Sequence, residues 1–382
     1  MKPNKNLLWS GRLMPRYLKL SISTLLCVFT LGLMGCNDYT PNPEDDIALF
    51  QPFIDVNVNK KSDDPYISST VKPGDKLYDI LVNIQHGRHD VAIKQLKPLV
   101  DKGDADAQFW YAKMIFDSSV KNRYPALQLY KKSAEQGNPN AYFELSPFGE
   151  GCLVYFGEKN CTQESLTKAI ELFKQKAKQG DLRAQYFLLS MLKPDGSVIE
   201  HETYFSNNYN FTHSAESRQH YLKEVIRFAE NHYYQPLMDY VDTIISSKGY
   251  KSPHEASTPE LFSMARELLT IAANHNYIPA IKLLLTINHE NGIEDNKLIE
   301  KSINLGSSYS LYNRYFDNDA KGYEGYYYGL FLEQLIGQHR TKDYSPTADE
   351  LDNMTDSIIE RMNAMTPMVY IDGFTSRDKW VD

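Results

Sequence analysis

One spacing recurs along this chain and leaves little choice of architecture. A small or apolar residue is followed by two more at intervals of four, then by a turn residue three further on, then by a small residue four beyond that. Ala126, Tyr130, Ala134, Gly137 and Ala141 show it most clearly, and Ala169, Phe173, Ala177, Gly180 and Ala184 repeat it. A first copy stands at Ala92, Leu96, Val100, Gly103 and Ala107. Two copies replace the glycine, at Tyr221, Val225, Ala229, His232, Pro236 and at Ala265, Leu269, Ala273, Asn276, Ala280, and a last runs Asp295, Ile299, Ile303, Gly306, Ser310. The copies are spaced irregularly around roughly 40 residues, the range of helix-pair solenoids.

Apolar residues at i, i+4 and i+8 form one stripe of a helix, and a glycine just past the stripe supplies the left-handed cap that ends it. His232 and Asn276 belong to the residue types that tolerate positive φ better than most, so the same turn is expected there under some strain. The small residue after each turn lets a second helix cross closely, while Tyr130, Phe173 and Tyr186 fill the space between.

The stretches Tyr130-Lys-Lys-Ser-Ala-Glu-Gln-Gly-Asn-Pro-Asn-Ala141 and Phe173-Lys-Gln-Lys-Ala-Lys-Gln-Gly-Asp-Leu-Arg-Ala184 resemble the Sel-one-like repeat, a relative of the tetratricopeptide repeat. The resemblance covers residues 76–315 and implies an all-α, right-handed superhelical solenoid of helix-turn-helix repeats. The family's Gly-x-Gly loop is visible only at Gly149-Glu-Gly151, and a long polar insertion near 193–217 interrupts the array. Residues 36–75 read as a tether and an extended lead-in, the Asp-Val-Asn-Val-Asn alternation from Asp55 suggesting a strand or extended chain. Residues 316–382 read as an aromatic-rich C-terminal helical cap, with a closing helix from Thr347 to Met365 capped by Thr347.

The first 35 residues carry Lys2, Lys5, Arg12, Arg16 and Lys19 and no acid, followed by an apolar run from Leu20 to Leu33. That is the pattern of an export signal, and the run is shorter than the roughly 20 residues a membrane span needs. Its end, Leu33-Met34-Gly35-Cys36, is similar to the bacterial lipobox, which implies a lipid on Cys36 and removal of all that precedes it. Asn37, where enteric lipoproteins kept at the inner membrane resemble one another in carrying aspartate, favours the outer membrane facing the periplasm.

Without the leader, 36 Lys and Arg stand against 49 Asp and Glu, a balance unsuited to nucleic acid or to any membrane contact beyond the anchor. Cys27 leaves with the leader, so only Cys152 and Cys161 remain, in an oxidising compartment a candidate local disulfide, with a free pair of thiols as the alternative.

No Gly-x-Ser-x-Gly, His-Glu-x-x-His or phosphate-cradling loop is present. Asp317-Asn-Asp319-Ala-Lys321-Gly322 opens like a calcium loop but places Lys321 at a ligand position and Tyr328 where the bidentate acid belongs. His86 and His89 read as exposed turn residues. Neither metal nor cofactor is implied, and the chain reads as no enzyme. Its expected partner is another protein, an envelope protein or a toxin. The outward positions Gln108, Lys113, Tyr142 and Gln185 of the second helices, with Tyr326 and Tyr327 as a second patch or part of the cap, are the contact candidates. Envelope lipoproteins of this kind resemble in part the immunity proteins that neutralise phospholipase toxins of type six secretion. An envelope adaptor or signalling regulator, or a cell-wall or lipid hydrolase, is the alternative.

Overall fold

The computed structural model describes residues 39, 41–116, 118–193, 196–198, 214–245, 258–317, 321–341 and 344–381. The unit Asn42–Asp382 carries every helix of the described residues. The lipobox Leu33 to Cys36 and most of the insertion near 193–217 lie outside the described residues.

Among the described residues the regular structure is helical, apart from one isolated bridge between Leu192 and Val198. Helices α1 (Ile47–Asn57) and α2 (Tyr78–Gln85) precede six pairs. The first three pairs are α3 (His89–Asp101) with α4 (Ala105–Phe116), α5 (Arg123–Glu135) with α6 (Pro139–Glu144), and, after the single turn α7 (Cys152–Tyr155), α8 (Gln163–Lys178) with α9 (Leu182–Met191). Three more follow: α10 (Ala215–Glu230) with α11 (Gln235–Ile245), α12 (Pro259–Asn274) with α13 (Ile278–Glu290), and α14 (Asn296–Asn304) with α15 (Ser308–Asp317). Helices α16 (Gly322–Ile336) and α17 (Ala348–Ala364) come last, and Thr347 and Glu350 close a reciprocal capping box on α17.

Each pair is built as its spacing requires. Ala92, Leu96, Ala126, Ala169, Val225, Ala265, Leu269 and Ile303 are completely buried, and so are the small residues after the turn, Ala107, Ala141, Ala280 and Ser310. The turn residues Gly103, Gly137, Gly180 and Gly306 all sit at positive φ. His232 (φ 60°) and Asn276 (φ 68°) are the non-glycine residues in that region among those described, and both stand where the repeat needs it. Neighbouring pairs are pinned near their turns: Ser133 donates to the Ala105 carbonyl at 2.6 Å, Asn138 to Asp106 at 3.1 Å and Gln136 to Gln108 at 2.8 Å.

The lead-in departs from the extended chain expected of residues 50–75. Phe50, Phe53 and Ile54 are spaced for one helical face and are buried in α1, whereas the valine alternation that suggested a strand leaves Val56 60 % exposed. Helix α1 packs on α10 and α12. Just before it, buried Asp46 receives Arg218 Nε at 2.9 Å, a second bond from Arg218 Nη2, and the Tyr240 hydroxyl at 2.9 Å. Burial raises the pKa of that tyrosine, with Asp46 adding to it, so it stays a donor. Beyond α1 the chain continues along the fifth turn, where Asn276 donates to the Asp64 carbonyl at 2.8 Å and Ser68 to that of His275 at 2.7 Å.

The two ends of the array also meet. His86 is buried, not an exposed turn residue, and its Nε2 lies 2.8 Å from the Gly306 carbonyl at the sixth turn. His89 is half-buried, its ring edge-on to Trp380. Arg88 donates to the Gln334 carbonyl at the end of α16.

Two substitutions separate turn strain from side-chain bonding. His232→Gly relieves positive φ but frees the unfolded chain, so stability in urea should stay within about 1 kcal/mol of wild type. Asn276→Gly loses its bonds to the lead-in as well and should cost roughly 1–3 kcal/mol. Replacing Asp46 by Ala should cost about 3–5 kcal/mol because it strands Arg218, and replacing both by Leu should restore part of the loss. The midpoints and slopes of denaturant curves check all three.

Candidate interaction site

The turns of the array converge on a segment of the chain itself. Residues 366–381 leave α17 and run back beside the starts of the second helices. Thr366 donates to Asn304 O at 2.8 Å and Met368 to Leu305 O at 3.0 Å, both at the sixth turn. Gln85 then clamps the backbone: its Nε2 donates to Met368 O at 3.0 Å, and its Oε1 accepts from the amides of Tyr370 at 2.8 Å and Ile371 at 3.2 Å. The Thr70 amide donates to Val369 O at 2.7 Å, and its hydroxyl to Ile371 O at 2.7 Å. Met368, Val369 and Ile371 are fully buried.

The segment then bends. Asp372 Oδ1 accepts from the amides of Phe374 and Thr375 at 2.9 and 3.0 Å, and its Oδ2 from the Tyr233 hydroxyl at 3.1 Å. Gly373 lies against the Asn140 side chain so closely that a Cβ would stand 2.5 Å from its Oδ1, so a larger residue there would have to push that amide aside. Phe374 packs on Phe187 and Phe173 with centroids 4.8 and 4.9 Å away. Lys379 reaches Asp239 at 3.5 Å and Asp242 at 3.8 Å. Asp239 also accepts from the Tyr186 hydroxyl at 2.6 Å, and burial, reinforced by that carboxylate, holds Tyr186 well above its ordinary pKa. Trp380, 1 % exposed, ends the path against Trp110, centroids 5.6 Å apart, with its Nε1 donating to Thr375 O at 2.9 Å.

This corrects the contact candidates. Gln108 and Lys113 do not face outward: Gln108 is buried under Gln136 of the next repeat, and buried Lys113 pairs with Glu144 at 3.1 Å beneath the Trp380 ring. Helical periodicity placed them on the right helix, but Gln108 is covered by the next repeat, and the segment that covers Lys113 has no period by which to announce itself. Tyr142 and Gln185 are half-buried, Gln185 turning back to donate to Ala177 O at 3.1 Å. Tyr326 and Tyr327 are also half-buried; Tyr326 packs on Tyr344 at 5.8 Å, and the Tyr327 hydroxyl lies 3.3 Å from Ser357 of α17. The region 316–382 is therefore more than an end cap, because its last part serves the first three pairs.

A cleft of about 570 Å³ remains beside the segment, between Lys76, Trp110, Asn140, Lys176, Arg183 and Gly373. Lys76 bridges Asp104 and Asp106 at 2.7 and 3.0 Å, and Arg183 Nη1 donates to Thr70 O at 3.4 Å. The Asn140 Oδ1 in this cleft has no hydrogen-bond partner. Elsewhere, burial and Lys61 bring Lys301 down to about 8, and its ammonium donates to Ala273 O at 2.7 Å, closing the end of α12. Among the described residues, no group of three His, Cys, Asp or Glu side chains is placed to hold a metal, and no helix is long and apolar enough to cross a membrane.

No protein-family model matches the chain, and no curated protein matches it either. Among solved structures it is similar to a Sel1 repeat protein from Oxalobacter formigenes, at 19 % identity over 56 % of this chain and 76 % of that one, with a TM-score of 0.28. The helix-turn-helix pairs themselves fit Sel-one-like repeats, each with its buried small residues and left-handed turn.

A second feature, unmarked by the repeat, lies where the loop leading into the second pair meets α7, the turn between the second and third pairs. Val154, Val120 and Tyr124 are 78, 73 and 70 % exposed, the largest values among the described apolar side chains, and Leu153 and Tyr155 lie beside them at 45 % each. Phe116 ties the two loops together with its ring 5.6 Å from that of Tyr155, and the Arg123 guanidinium stacks 3.6 Å above Tyr155. Cys152 and Cys161 are bonded, Cα atoms 5.8 Å apart, and clamp the loop that carries three of these residues. Replacing both cysteines by Ala should lower stability by roughly 2–3 kcal/mol in the chain-entropy account. A reductant-dependent urea midpoint in the wild type, absent from the double variant, is the check.

Proposed function

We propose that the chain is a protein-binding repeat scaffold, and that its contact surface includes the apolar edge at Val120, Tyr124, Leu153, Val154 and Tyr155. That edge carries the reading. Large apolar side chains scattered singly over a surface need no explanation, whereas three in succession on a disulfide-closed loop, joined through Arg123 and Phe116 to the neighbouring Val120 and Tyr124, cost solvation and are maintained where a partner covers them. Tyrosine gives such a contact large area with little entropy to lose.

The finer reading is a lipoprotein, lipidated at Cys36 and held at the outer membrane facing the periplasm. The Leu33-Met34-Gly35-Cys36 sequence supports it, as does a disulfide that persists only under oxidising conditions. Within that compartment the reading extends to an immunity protein that binds and neutralises a phospholipase toxin delivered by type six secretion.

Each level has its own test. Cys36→Ala should abolish incorporation of labelled fatty acid, and undiminished labelling sinks the anchor. The paired change Tyr124→Asp with Val154→Asp should reduce capture of the partner at least tenfold while the thermal transition stays within a few degrees, both side chains being solvent-exposed. Equal capture by the variant overturns the edge as the contact surface. For the immunity reading, cells lacking the protein should be poisoned by the periplasmic toxin and rescued by the wild-type gene but not by the edge variant.

A further inference from the structure

Residues 366–381 occupy the line of turns the way a bound peptide would. Their backbone is met mostly by side chains and turn carbonyls, and their regular structure is limited to the single turn Arg377–Lys379. Gln85 serves two amides and a carbonyl, so it recognises extended chain and not a particular side chain. Specificity enters at two aromatic positions. Phe374 sits on Phe173 and Phe187, and Trp380 sits on Trp110 with His89 edge-on at 6.4 Å and Lys113 5.8 Å over its ring. The cleft beside Gly373, between Lys76, Lys176 and Arg183, leaves room along the path for groups that this segment does not supply.

We propose that residues 366–381 are a ligand bound in cis, and that the same path binds in trans an extended peptide carrying an aromatic residue in the place of Trp380. The inference deepens the binding reading above and rests on it for its biological sense, but it does not need the apolar edge. A partner entering this path has to displace the segment, which is tethered at high effective concentration, so the wild-type chain is held in a low-affinity state.

The test uses the full chain and a labelled synthetic peptide of residues 366–381, read by fluorescence anisotropy. The wild-type chain should bind it weakly. The Trp380→Ala chain, its cis segment loosened, should bind at least ten times more tightly, and a peptide with alanine at that position should lose the gain. No gain in a Trp380→Ala chain with wild-type circular dichroism overturns the proposal and leaves the edge reading untouched. If that variant does not fold, hydrogen exchange of the wild type decides. Amides of Met368, Tyr370 and Ile371 exchanging at least tenfold faster than those within α4 and α12 support a displaceable ligand; equal rates make the segment core and overturn it.

Discussion

Everything in this molecule depends on a left-handed residue placed between the two helices of each pair. It turns the chain tightly enough that the second helix crosses the first at an alanine or serine, or at Pro236 in the fourth pair, and it presents the last carbonyls of one helix and the first amides of the next on the same side. Repeated along the array, the turns make a line of backbone groups and capping side chains. Asp104, Asn138 and Asp181 cap the second helices of the first three pairs, and Lys76, Gly373 and Arg183 reach the same neighbourhood. The lead-in along the fifth turn and the segment 366–381 along the others are consequences of that exposed polar line, which extended chain can satisfy.

How much of this the sequence disclosed depends on periodicity. The turns were legible, down to His232 and Asn276, because the stripe before each fixes where the helix must end. The cap at Thr347 was legible from its residue type just before the stripe, whereas the reciprocal bond from Glu350 that closes the box emerged only in the structure. Helix α1 was obscured by valines that alternate at its tail while Phe50, Phe53 and Ile54 carried the true spacing. The path of residues 366–381 was not legible at all: a segment held by Gln85, Thr70 and Asn304 is specified by residues some 60 to 300 positions away, and no local spacing records such a bond. Gln108 and Lys113 show the mixed case, their helix read correctly and their covering missed.

The two candidate surfaces differ in kind. The edge at Val154 and Tyr124 is open and rigid, clamped by a disulfide, and suits a partner that arrives already folded. The line of turns is already filled and suits an extended chain. A scaffold with both can hold a partner at one place while exchanging its own segment at the other, and the two are bridged by the second pair, which supplies Tyr124 to the edge and Asn140 to the path.

The bond between Thr70 and Ile371 also sets an order of events in folding. A row of helix pairs can form by nearest-neighbour steps, each pair settling on the one before it. Residues 366–381 follow every pair in the chain and touch nearly the first of them, so this bond closes a loop of 301 residues. Until they dock, Trp110, Phe173 and Phe187 face water. A chain arrested or clipped before residue 366 would therefore expose apolar surface across several repeats at once, and quality-control proteases and chaperones that recognise such surface would meet the incomplete protein as an unfolded one.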